Sequence, residues 1–94
     1  MPPAISPDRL EAIAHAAGFH VLGTDEFGHV RVRHPDTGRR VSLPTTAPTR
    51  RTLATTYREI LRRMSDPRRA GRPTDPDVHR ERARRVVEDL MQPR

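Results

Sequence analysis

Apolar and polar positions along the chain change period several times, and each change marks an element. In "SPDRLEAIAHAAGF", Leu10, Ile13, Ala14 and Ala17 recur at helical spacing, which predicts a helix of about three turns. Ser6 is its expected cap and Pro7 its first residue, with acids following in the first turn; Gly18 ends the run. The period then shortens to two. Phe19 to Thr24, His29 to His34 and Arg39 to Leu43 read as strands, joined through "DEFG" and "PDTG", whose Asp and Gly suit tight connections. Three such strands in succession predict an antiparallel meander.

Helical spacing returns in Leu53, Tyr57, Ile60, Leu61 and Met64, with Thr49 or Thr52 as cap and Arg51, Arg58, Arg62 and Arg63 on the opposite face. "SDPRRAGRPTDP" breaks all periodicity with three prolines and a glycine, and reads as a linker over 65–76. Thr74 and Asp77 then have the spacing of a capping box for a last helix over 77–94. Its expected apolar stripe is Val78, Ala83, Val86, Val87, Leu90 and Met91, opposite Arg80, Arg84 and Arg85. The fold class expected is α+β: one small domain over 1–64, the linker, and a basic amphipathic C-terminal helix. That helix could pack on its own domain, serve as the seam of a homodimer, bind a partner protein, or extend a path for nucleic acid.

Alternation assigns the strand faces. Val30 and Val32 share one side while His29, Arg31 and Arg33 share the other, and Val41 and Leu43 alternate in the same way with Arg40 and Ser42. With helices over the apolar side, a histidine, three arginines and a serine are left facing water. Arginine forks bind phosphate oxygens bidentately, and a neutral histidine among them can take a proton from a ribose 2′-hydroxyl or return one to a leaving oxygen. The bland alternative is that a half-exposed antiparallel sheet needs a polar outer face merely to be solvated.

Charge sharpens this picture. The 94 residues carry a formal +6, and residues 1–47 hold five arginines against five acids while residues 48–94 hold thirteen against seven. Such an excess suits a polyanionic partner, because neutralised phosphates release counterions. All basic residues are arginine, which a GC-rich coding sequence would also produce. The absence of cysteine excludes disulfides, thiolate catalysis and Cys-based metal sites, and points to a reducing cytoplasm. No apolar leader or membrane-length run is present, so no membrane partner is expected. The five histidines form no metal-ligand set, and neither metal nor cofactor is expected. His15 reads as a partly exposed helix residue, His20 as a strand residue with no charged partner evident and His79 as one among the charges of the last helix, none of them functional; Phe19, Tyr57 and Met64 read as core, and Phe27, in a turn, as the one aromatic open to solvent.

The words "AIAHAAGF", "GHVRVRHPDTGRRVSLP" and "TLATTYREILRRM", in that order, resemble the HicA (YcfA-like) toxins over roughly residues 8–64. The resemblance implies a double-stranded-RNA-binding-domain-like fold, cleavage of single-stranded RNA or mRNA without metal, and neutralisation by a cognate HicB-like antitoxin. It places the family's catalytic histidine on His29, as general base or acid. Arg31, Arg33 and Arg40 would then hold the scissile phosphate and its neighbours, with Ser42 assisting. Phe27-Gly28 stands where the family has Gly-Ser, and "TTAPTRR" replaces its basic segment after Pro44. These departures favour a rival expectation, a non-catalytic module of the same fold that binds nucleic acid or a host protein and could be phage-borne.

Overall fold

The computed structural model describes residues 4–67 and 71–92; residues 68–70 of the expected linker and 93–94 of the expected last helix lie outside the described residues. The elements run α1 (Pro7–Ala16), β1 (His20–Thr24), β2 (Val30–Arg33), β3 (Arg40–Leu43), α2 (Arg50–Arg63) and α3 (Pro76–Met91). The strands form one antiparallel sheet in the order β1-β2-β3. The α+β class and the three-stranded meander are as the periodicity predicts.

Local chemistry explains the element ends. Ser6 accepts the Arg9 N–H at the start of α1, with Pro7 behind it. At the other end Gly18 takes φ +100°, and the N–H groups of Gly18 and Phe19 return to the carbonyls of His15 and Ala14, closing the helix and turning the chain into β1. Thr49, rather than Thr52, caps α2 by accepting the Thr52 N–H at 3.0 Å. For α3 the cap differs from the expected Thr74. Asp75 accepts from Asp77 and Val78, and Pro76 follows in the first position, so a carboxylate one residue later takes the role and Asp77 adds charge to the first turn.

Helices α1 and α2 pack on one face of the sheet, and α3 lies against both. Leu10, Ile13, Phe19, Val30, Val32, Leu43, Leu53, Tyr57, Leu61 and Met64 are buried, and Val86, Val87 and Leu90 of α3 enter the same core. Val86, Val87 and Leu90 of the expected α3 stripe are therefore used within the chain. Its expected stripe is also rotated: Val78 and Met91 are exposed, and His79 takes the buried position one turn before Ala83. The Tyr57 hydroxyl donates to the Pro44 carbonyl, fixing α2 over the end of β3.

Alternation along β2 continues past its end, so His34 points inward with Val30 and Val32 and is fully buried. Its Nδ1 accepts the N–H groups of Asp36 and Thr37 at 3.0 and 3.1 Å, bracing the turn between β2 and β3. His79, from α3, lies against it with ring centroids 5.2 Å apart, and shares its Nε2 proton with the Leu61 carbonyl at 2.8 Å. His79, expected among the charges of the last helix, is thus buried instead, and the charges beside it in sequence lie on other faces of the helix. Thr37, also buried, donates to the Met64 carbonyl at 2.6 Å, while Arg82 reaches Asp36 at 3.6 Å. Burial, then the neighbouring His79 and Arg82, lower the His34 pKa to about 4, against a smaller opposing effect of Asp36. The turn, the end of α2 and the first half of α3 are joined through this polar cluster.

Candidate nucleic-acid interface and acid–base site

The face of the sheet opposite the helices is open. Arg31, Arg40 and Ser42 are exposed on it and Arg33 is half-buried, so the expected group is brought to one surface. Register sets the pairs: Arg31 stands opposite Ser42, and Arg33 directly opposite Arg40. Like charges at directly opposed positions repel across an antiparallel pair. Among the described residues no carboxylate ion-pairs with Arg31, Arg33 or Arg40. Arg33 instead donates across the other strand boundary to His20 Nδ1 at 3.0 Å. This row of His20, Arg33 and Arg40 lacks an anion, and phosphate oxygens would supply one.

His29 falls one residue before β2 rather than inside it. The connection from β1 holds it through Asp25, whose Oδ1 accepts the N–H groups of both Phe27 and His29 at 2.9 Å. The Asp25 N–H in turn donates to the His29 carbonyl at 2.9 Å. These bonds bring Oδ2 to 3.9 Å from His29 Nδ1, with the His29 side chain 44% exposed. The Asp25 carboxylate thus lies on the Nδ1 side of the ring, beyond hydrogen-bond length. Within the described residues Nε2 has no hydrogen-bond partner.

Two contributors escaped the sequence reading. Asp25 carried a local signal, since an Asp opening a tight turn accepts backbone N–H groups from the residues that follow. His20 carried none, because its pairing with Arg33 depends on an irregularity in β1. Leu22 opposes no residue of β2, so Gly23 pairs with Arg31 and the strand changes phase there. Leu22 is left exposed, while Thr24 turns toward α1 and donates to Glu11 at 3.1 Å.

A groove of about 750 Å³ lies away from this face, between α2 and α3. Ala83 and Val87 line it beside Arg58, Arg62, Arg80 and Arg84. Three of those arginines are neutralised locally, Arg62 by Glu59, Arg80 by Asp77 and Arg84 by Glu81 and Glu88, which weakens the groove's claim on an anion relative to the sheet. No three His, Asp or Glu side chains of the described residues are gathered as metal ligands, and no helix there is long and apolar enough to cross a membrane. Set against family models, curated proteins and solved structures, the chain matches none of them.

Proposed function

We propose that this protein binds RNA on its open sheet face and cleaves it by metal-independent acid–base chemistry at His29, in the manner of the HicA-like toxins with their double-stranded-RNA-binding-domain-like fold. The observation that carries the reading is the acid-free arginine surface ending at a histidine whose Nδ1 faces a carboxylate. In this reading Nε2 of His29 takes the 2′-hydroxyl proton as that oxygen attacks the adjacent phosphorus. The P–O5′ bond then breaks, the departing 5′-oxygen takes up a proton from water, and Nε2 returns its proton to solvent, leaving a cyclic phosphate and a free 5′-hydroxyl. Arg31 stabilises charge on the phosphoryl oxygens, Ser42 opposite it offers a hydroxyl donor, and Arg33 and Arg40 hold the next phosphate.

Cleavage of a labelled single-stranded RNA in EDTA tests the proposal, with wild type, His29→Ala and a 2′-deoxy substrate compared. Cleavage by wild type alone, lost with His29→Ala and absent on the deoxy strand, is the expected result. Equal cleavage by both proteins removes His29 from the chemistry. Salt-sensitive binding without cleavage by either reduces the function to a nucleic-acid-binding module.

A further inference from the structure

We propose that Phe27 is a stacking platform for one unpaired nucleobase, placed at the His29 end of the sheet; this rests on the RNA reading above and assigns that site a preference for single strands. Three aromatics occur in the chain. Phe19 and Tyr57 are buried, whereas Phe27 is 75% exposed. Solvation gives no reason for a phenyl ring at a turn whose job is to reverse the chain, since any polar residue would serve there at no hydrophobic cost.

The turn that carries the ring is held still. The Phe27 N–H donates to Asp25 Oδ1, the Gly28 N–H to the Asp25 carbonyl at 3.1 Å, and the flanking Asp25 and His29 are joined by two more bonds. One carboxylate therefore holds the backbone N–H groups of both Phe27 and His29. The two rings are neighbours, with centroids 6.4 Å apart and planes at 45°. Beyond them His29, Arg31 and Arg33 advance by about 7 Å for every two residues of extended chain. An apolar ring, an imidazole and a file of guanidinium groups thus succeed one another from the β1–β2 turn along the central strand β2.

Single-stranded RNA matches that order. Its unstacked bases are free to lie on aromatic side chains while its phosphates follow a cationic groove, and stacking tolerates any base because each has a π-face. A duplex keeps its bases stacked internally and offers the phenyl ring nothing. The exposed Leu22, at the irregular point of β1, adds an apolar surface on the same sheet.

The chain has no tryptophan, so Phe27→Trp makes residue 27 the sole indole emitter. Titration with a single-stranded oligoribonucleotide is expected to quench that emission at saturation, and inorganic polyphosphate, which lacks bases, is expected to leave it unchanged. In parallel, Phe27→Ala is expected to bind the oligoribonucleotide about tenfold more weakly than wild type and to erase most of the preference for single over double strands. Substitution at an exposed turn side chain leaves the core untouched, and circular dichroism verifies the fold of both variants. An unquenched indole at saturation, or an Phe27→Ala affinity equal to wild type, overturns the platform while leaving RNA binding by the sheet intact. A wild-type protein that binds neither RNA nor polyphosphate overturns the RNA reading, and the platform with it.

Discussion

His29 and His34 stand at the two ends of one strand, five residues apart, and an odd spacing sends them to opposite sides of the sheet. His34 is enclosed: two backbone N–H groups occupy its Nδ1, Phe19 meets it edge-on at 5.8 Å, and His79 closes over it. Burial, with His79 and Arg82 nearby, is why the ring resists charge, and protonating Nδ1 would in addition set a third donor against two others. His29 is nearly half exposed, with one carboxylate beside it and, among the described residues, no hydrogen-bond partner for its other nitrogen. The same side chain is a buried structural acceptor inside and a solvent-facing ring outside, and the parity of its position along the strand decides which.

That contrast predicts that the inner side governs folding and the outer side governs binding. The largest test is removal of α3 by ending the chain after Thr74. Val86, Val87 and Leu90 leave the core with it, a loss of about 6 kcal/mol that is comparable with the whole stability of a small domain. Loss of cooperative thermal unfolding, followed by circular dichroism, is the expected outcome; a sharp transition near the full-length Tm would show that α3 is dispensable.

Acid offers the next test. His34 has its folded pKa lowered to about 4 from an ordinary 6.5, so between those values the unfolded chain binds a proton that the folded chain refuses. Stability is fully present above about pH 6.5 and falls as the pH drops, by about 3 kcal/mol once pH 4 is passed. Urea midpoints measured across this range should follow that slope, and the slope should shrink in His34→Gln, whose amide oxygen can accept the same two N–H groups. An unchanged slope in the variant would place the acid sensitivity elsewhere.

The smallest stability effects belong outside. Arg31→Ala and Arg40→Ala should each shift stability by no more than about 0.5 kcal/mol, while lowering the slope of log affinity for single-stranded RNA against log salt by about one. Arg40→Ala relieves its repulsion with Arg33, so a small gain in Tm is expected there. Large destabilisation by either substitution would mean that the outer face is structural after all.

Much of this contrast was legible in the chain. Strict alternation in "HVRVRH" divides the valines from the arginines, and helical spacing in α2 finds its core residues, because both signals arise from period alone. Less was visible where partners are distant in sequence. The His20–Arg33 pair depends on the missing partner of Leu22, and the burial of His79 depends on the angle at which α3 meets α2; neither is encoded locally. The cap of α3 was missed by one residue, since Thr and Asp are both good caps and only the geometry of the approaching chain chooses between them. Asp25 was readable as a turn former, but its second role beside His29 appears only once the turn has closed.

The chain approaching α3 runs so close to the turn between β2 and β3 that a Cβ on Gly71 would lie 2.0 Å from the Thr37 carbonyl oxygen, and the Arg72 N–H donates to the Asp36 carbonyl at 2.8 Å. This has a meaning for synthesis, which delivers the sheet long before α3. Until residues 76–91 leave the ribosome, the His34 ring, the Leu61 carbonyl and the apolar surface that meets Val86 and Leu90 remain uncovered, a state prone to aggregation and proteolysis. The segment from Gly71 leads the chain into α3 beside that opening, and because any side chain at position 71 would strike the Thr37 backbone, Gly71→Ala should destabilise the finished fold and the covering of that surface together.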